Sequence, residues 1–139
     1  MGALFLETKI NKSDSEWKKQ LTKEQYEVLR KKKTDAPFTG DLLYNKEEGI
    51  YRCVGCGNAI FLSKDKFDSG TGWPSFSQAV EGSVELIPDH SEGMDRVEVR
   101  CSKCGGHLGH VFDDGPMPTG KRYCINCSAM NFKKPLDKR

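Results

Sequence analysis

No stretch of this 139-residue chain approaches the ~18 consecutive apolar residues of a membrane span. The longest early apolar run, Ala3-Leu4-Phe5-Leu6, is shorter than the ~7–15 residues of a signal-peptide core. Met1-Gly2 is followed at position six by Leu6, where myristoylation wants Ser or Thr. These absences predict a cytoplasmic protein with no membrane partner. An excess of one charge is also lacking: the net charge is +2, so no nucleic-acid partner is expected. The lysine runs at 31–33 and 133–134 read as solvated surface and tail. Apolar residues are scarce at 36%, against 30% charged, so the core is thin and needs help from something besides apolar burial. Length and the absence of repeats predict one domain over residues 1–139, monomeric by default, with 1–12 a mobile lead-in.

Six cysteines are present, and without a secretory leader they point to metal or redox chemistry rather than a disulfide framework. Cys53-Val54-Gly55-Cys56 and Cys101-Ser102-Lys103-Cys104 are two C-x-x-C knuckles. Two knuckles supply four thiolates, the closed tetrahedral set of a structural zinc ion. Four sulfurs leave no open position for catalysis. Buried free thiols are the bland alternative, which the rarity of paired knuckles opposes. The metal is expected to clip the region of the first hairpin to residues near 100. A zinc-ribbon module for nucleic acid is the rival class, opposed by the near-neutral charge and the lack of a basic aromatic stripe.

Two capping boxes, Ser13-x-x-Glu16 and Thr22-x-x-Gln25, predict helices at about 14–20 and 22–31. From Pro37 and Gly40 onward Gly and Pro recur, and short strands are predicted at 50–53, 59–61, 84–86, 97–100, 110–112 and 122–125, with 132–135 pairing briefly. The run at 97–100 alternates apolar with charged residues, which predicts one wet face. The chain is therefore α+β, helices first and a small antiparallel β body after.

Cys124 and Cys127 fall outside the metal set. Arg122 and Lys121 are placed to favour a Cys124 thiolate, the reactive form. Alone, Cys124 would read as a small strand residue, His107 and His110 as core histidines, and Trp73 as core. Together they carry a resemblance. Trp17…Leu21-Thr22…Gln25-Tyr26…Val28-Leu29-Arg30, Pro37-Phe38-Thr39-Gly40, both knuckles, Phe67 to Phe76, Gly93 to Val99, His107 to Pro116 and Arg122-Tyr123-Cys124-Ile125-Asn126 are similar, in order, to the B-type methionine-R-sulfoxide reductases. The similarity spans residues 15–133.

The resemblance implies a mainly β fold of two small antiparallel sheets with short N-terminal helices and a structural zinc site. It implies reduction of the R epimer of oxidised methionine in peptides and proteins. Cys124 would attack the sulfoxide sulfur and become a sulfenic acid. His107 and His110 would hydrogen-bond or protonate the sulfoxide oxygen. Trp73 would face the S-methyl group, Asn126 would bond substrate or orient a histidine, Asp114 would orient His110, and Arg122 would favour the thiolate. Many members carry a resolving cysteine where this chain has Thr71. Cys127 is then an internal resolver, an inert thiol or, least well, a metal ligand. The favoured route sends the sulfenic acid directly to thioredoxin, glutaredoxin or glutathione. A plain thiol oxidoreductase built on Cys124 and Cys127 remains a third class, one that would have no need of Trp73.

Overall fold

A computed structural model describes residue 10 and residues 12–134. Helix α1 (Asp14–Gln20) starts at Ser13 and α2 (Lys23–Lys31) at Thr22, and both capping boxes are closed. Thr22 is the cap of α2 rather than its first residue. Most of the expected lead-in lies outside the described residues, but the Ile10 N–H donates to the Lys103 carbonyl at 2.6 Å. No helix among the described residues is long and apolar enough to cross a membrane.

Nine strands follow: β1 (Ile50–Cys53), β2 (Ala59–Leu62), β3 (Lys66–Phe67), β4 (Ser75–Phe76), β5 (Val84–Asp89), β6 (Arg96–Cys101), β7 (His107–Phe112), β8 (Arg122–Ile125) and β9 (Met130–Lys133). They form two antiparallel sheets, ordered β2-β1-β9 and β3-β4-β8-β7-β6-β5. The expected fold class is therefore borne out. β3 and β4 were not anticipated, because two-residue strands carry no period to detect. Of the expected tail pairing at 132–135, Phe132 and Lys133 belong to β9 and pair with β1, Lys134 falls past the strand, and Pro135 lies outside the described residues.

Aromatic rings join the sheets. Phe61 of one stacks on Phe76 of the other with centroids 4.4 Å apart, and Tyr51 meets Phe76 edge-on at 5.0 Å. α2 buries Tyr26, Val28 and Leu29. Leu29 rests against the second knuckle, where a Cβ on Gly106 would come within 2.5 Å of its Cγ. A side chain at 106 would therefore push the helix off the knuckle. The expected wet face at 97–100 fails at Glu98, which is 1% exposed. Three donors meet that carboxylate, so a charge sits where alternation alone places it in water.

Candidate active site

The four knuckle cysteines converge as expected. Their sulfurs all lie within 4.8 Å of one another, with Cys53 to Cys104 at 3.6 Å and Cys56 to Cys101 at 3.5 Å. A tetrahedron with Zn–S bonds of about 2.3 Å has edges of about 3.8 Å, so the spacing and the donor chemistry fit a four-thiolate ion. Cys53 ends β1 and Cys101 ends β6, so the cluster ties one sheet to the other. Each knuckle turns on the same bond: the Gly57 N–H donates to the Cys53 carbonyl at 2.9 Å, and the Gly105 N–H to the Cys101 carbonyl at 2.8 Å.

On another face lies a cleft of about 240 Å³, a volume for one side chain rather than a nucleotide. Cys124 lines it from β8, His110 from β7 and Trp73 from the loop before β4, joined by Arg122, Asn126 and Thr71. Strand register explains the assembly. His110 pairs with Cys124 across β7 and β8, and Ser75 pairs with Cys124 across β4 and β8. A Cβ on Gly109 would collide with the Cys124 carbonyl, so a bare backbone lets β7 close on β8.

The indole is fixed from behind, with Trp73 Nε1–H donating to the Asp35 carbonyl at 2.9 Å. Asp35 also donates its N–H to Asn126 Oδ1 at 2.9 Å, and its carboxylate accepts the Ser128 N–H and hydroxyl. Asn126 donates Nδ2–H to the Leu108 carbonyl at 3.2 Å. Both ends of its amide are thus held by backbone, so it braces the site instead of orienting a histidine.

The imidazoles each lean on a carboxylate that sequence reading missed. His110 Nε2 lies 2.7 Å from Asp89 Oδ2, and His107 Nδ1 lies 2.6 Å from Glu98 Oε2. The two rings meet edge-on, 5.4 Å apart. Only His110 lines the cleft. His107 stands behind it, buried, with Nε2 meeting no hydrogen-bond partner among the described residues. Asp114 is not bonded to His110: it accepts two bonds from Arg122, at 2.8 and 3.1 Å, and the carboxylate at His110 is that of Asp89. Lys121 pairs with Asp113, which leaves Arg122 as the cation beside Cys124.

Burial pushes the Cys124 thiol above its ordinary range, against the Arg122 charge and a hydrogen bond from Thr71, which act the other way. The His110 bond, helped by Ser91, holds the Asp89 carboxyl well below the carboxylate range. Burial pulls His107 below the usual imidazole range, opposed by Glu98. Burial pushes Glu98 up, yet His107, Arg100 and Lys32 outweigh it and keep the carboxyl low. The pair therefore rests as ionised Glu98 and neutral His107.

Glu98→Gln should destabilise the protein by about 2–4 kcal/mol at pH 7, because it leaves buried donors facing a neutral amide. The stabilisation from a depressed carboxyl is full above its unfolded pKa and fades as pH falls through the folded one. The gap between wild type and variant in urea melts should therefore narrow below about pH 4. A gap that stays constant down to pH 3 would remove Glu98 from this role.

Cys127 opens a turn of 3-10 helix, Cys127–Ala129, and leaves the strand path of Cys124. Its thiol donates to the Thr39 carbonyl at 3.6 Å and borders a different cleft, with Gly40, Leu42 and Met130. No residue lining that cleft lines the one at Cys124. Sequence reading found no reason for the chain to turn after Asn126; the Asp35 carboxylate, 93 residues away at Ser128, supplies it.

A cysteine-lined cleft backed by carboxylate-held imidazoles, apart from a four-cysteine cluster that fits a metal ion, is the arrangement of an oxidoreductase. Residues 21–134 match the SelR domain. The chain is 59% identical, over 89% of its length and 88% of the relative's, to a peptide methionine sulfoxide reductase MsrB of Methanosarcina barkeri. It is 56% identical to the MsrB of Leptospira interrogans over 90% of this chain and 96% of that one. A mitochondrial methionine-R-sulfoxide reductase B3 of Mus musculus is 50% identical over 89% of this chain and 49% of its own length. The chain belongs to the MsrB family of methionine sulfoxide reductases.

Proposed function

We propose that the protein reduces the R epimer of methionine sulfoxide in peptides and proteins, with Cys124 as nucleophile. The carrying observation is that Cys124, His110 and Trp73 line one side-chain-sized cleft, with Asp89 bonded behind His110. The Cys124 thiolate attacks the sulfoxide sulfur. The sulfoxide oxygen takes a proton from His110, which the 2.7 Å contact with Asp89 holds at the cleft. The protonated oxygen then passes from the substrate sulfur to Cys124 as the sulfur–oxygen bond and the new sulfur–sulfur bond both break, so methionine leaves reduced by two electrons and Cys124 is left as sulfenic acid. Trp73 faces the S-methyl group and excludes water from it. Deeper in, His107 holds the second ring in place, while Arg122 and the Thr71 hydroxyl ease formation of the thiolate against burial.

An external thiol, from thioredoxin, glutaredoxin or glutathione, then condenses with the sulfenic acid and releases water, and a second thiol frees Cys124. The separate cleft of Cys127 supports this route over an internal disulfide. Zinc is the ion suited to Cys53, Cys56, Cys101 and Cys104, and it supplies cross-linking rather than chemistry.

The test is a stoichiometric assay without reductant, using separated R and S sulfoxide peptides. One methionine per chain from the R peptide, and none from the S peptide, is expected. Cys127→Ser should give the same yield and, with dithiothreitol or thioredoxin, the same steady-state rate within twofold. Two thiols lost per methionine formed in wild type, and one in Cys127→Ser, would establish an internal resolver instead.

A further inference from the structure

Arg96 opens β6 at the rim of the Cys124 cleft and contributes to its lining. Its side chain is 22% exposed, and its Nε is buried with no hydrogen-bond partner among the described residues. The nearest anion offers little. Nη2 stands 3.9 Å from Asp89 Oδ2, and that oxygen already takes the His110 bond at 2.7 Å. The other guanidinium in the cleft is already partnered: Arg122 holds Asp114 by two bonds, stacks on Phe112 at 4.5 Å and hydrogen-bonds Cys124. Of the neighbouring lysines, Lys32 is committed to Glu98 and Lys121 to Asp113. One guanidinium in the cleft therefore keeps unused donors. A buried N–H without a partner costs free energy, and it is satisfied when a ligand brings an acceptor.

We propose that Arg96 forms a carboxylate subsite beside Cys124, selecting methionine sulfoxide that carries an acidic group next to it. The planar fork of a guanidinium matches the two oxygens of a carboxylate, and the pairing is charge-assisted. The carboxylate comes from one of two sources: an acidic side chain beside the sulfoxide residue, or the α-carboxylate of that residue at a chain end. This subsite rests on the reduction reading above and adds a preference among its substrates.

The experiment measures kcat/KM for two matched pairs of R-configured sulfoxides. One pair is N-acetyl-methionine sulfoxide and its N-methylamide. The other is a blocked pentapeptide with Glu or with Gln after the sulfoxide residue. Wild type should prefer the charged member of at least one pair by about tenfold, the size of one charge-assisted hydrogen bond. The pair that discriminates identifies the source. In Arg96→Gln the charged-to-neutral ratio should fall to near one, and a ratio cancels any loss common to both members. Should that variant fail to fold, wild type alone decides, because a preference made by an ion pair in a cleft open to solvent must shrink in 0.5 M salt. Absence of preference in both pairs, an unchanged ratio in Arg96→Gln, or a salt-insensitive preference would overturn the subsite while leaving the reduction intact. Wild type that turns over none of the four compounds would overturn the reaction and the subsite together.

Discussion

Cys124→Ser should retain the fold and the metal yet lose about 10⁴-fold or more in sulfoxide turnover. A serine hydroxyl is not ionised near neutral pH and lacks the polarisable sulfur that accepts oxygen. Cys124 is half-buried on β8, with no core packing of its own, so the exchange spares the structure. Circular dichroism and elemental analysis should match wild type while methionine release stops. The raised thiol has a companion signature. Alkylation of Cys124 by iodoacetamide should be slow at pH 7 and rise about tenfold per pH unit past the ordinary thiol range near 8.5. Appreciable turnover by the serine variant would displace Cys124 from the reaction.

Removing the metal, or breaking its ligand set with Cys101→Ser, should cost a large share of the stability of the fold. Structural zinc contributes ~10–16 kcal/mol of apparent binding in small peptides, comparable to the ~5–15 kcal/mol that holds a whole domain. Here the sulfurs join β1 of the three-stranded sheet to β6 of the six-stranded one. Without the ion, the sheets are held by a thin core around Phe61, Phe76 and Tyr51. Fresh wild type should carry one equivalent of zinc, and chelation should lower Tm by more than ~10 °C. Protein purified without metal yet melting where the loaded form does would refute a structural role for the cluster.

Local signals were the legible ones. Ser13 and Thr22 announced two helices because a capping box is closed within four residues. The knuckles announced a four-sulfur cluster because ligand spacing is itself the chemistry. The cleft was legible as a set of residues through resemblance, since Trp73, His110 and Cys124 are far apart along the chain and only strand pairing unites them. What stayed hidden depends on contacts between distant residues. Glu98 sits in a strand whose alternation reads as wet, and only the arrival of His107, Arg100 and Lys32 makes its burial tolerable. Asp89 and Asp35 carry no local mark at all. The resemblance sets Asp114 behind His110, whereas Arg122 claims it in space.

Helix α2 touches both halves of this chemistry. Leu29 lies on Gly106, just after the second knuckle, Arg30 donates to the Cys104 carbonyl at 2.9 Å, and Lys32, just past the helix end, reaches Glu98. A rigid lever nine residues long thus rests at one point on the sulfur cluster and at another on the support of an imidazole. If an ion held by the four sulfurs were lost to a strong oxidant, that lever would loosen and the Glu98–His107 pair would slacken with it, so damage at the sulfurs would reach the cleft from a direction its substrate never approaches.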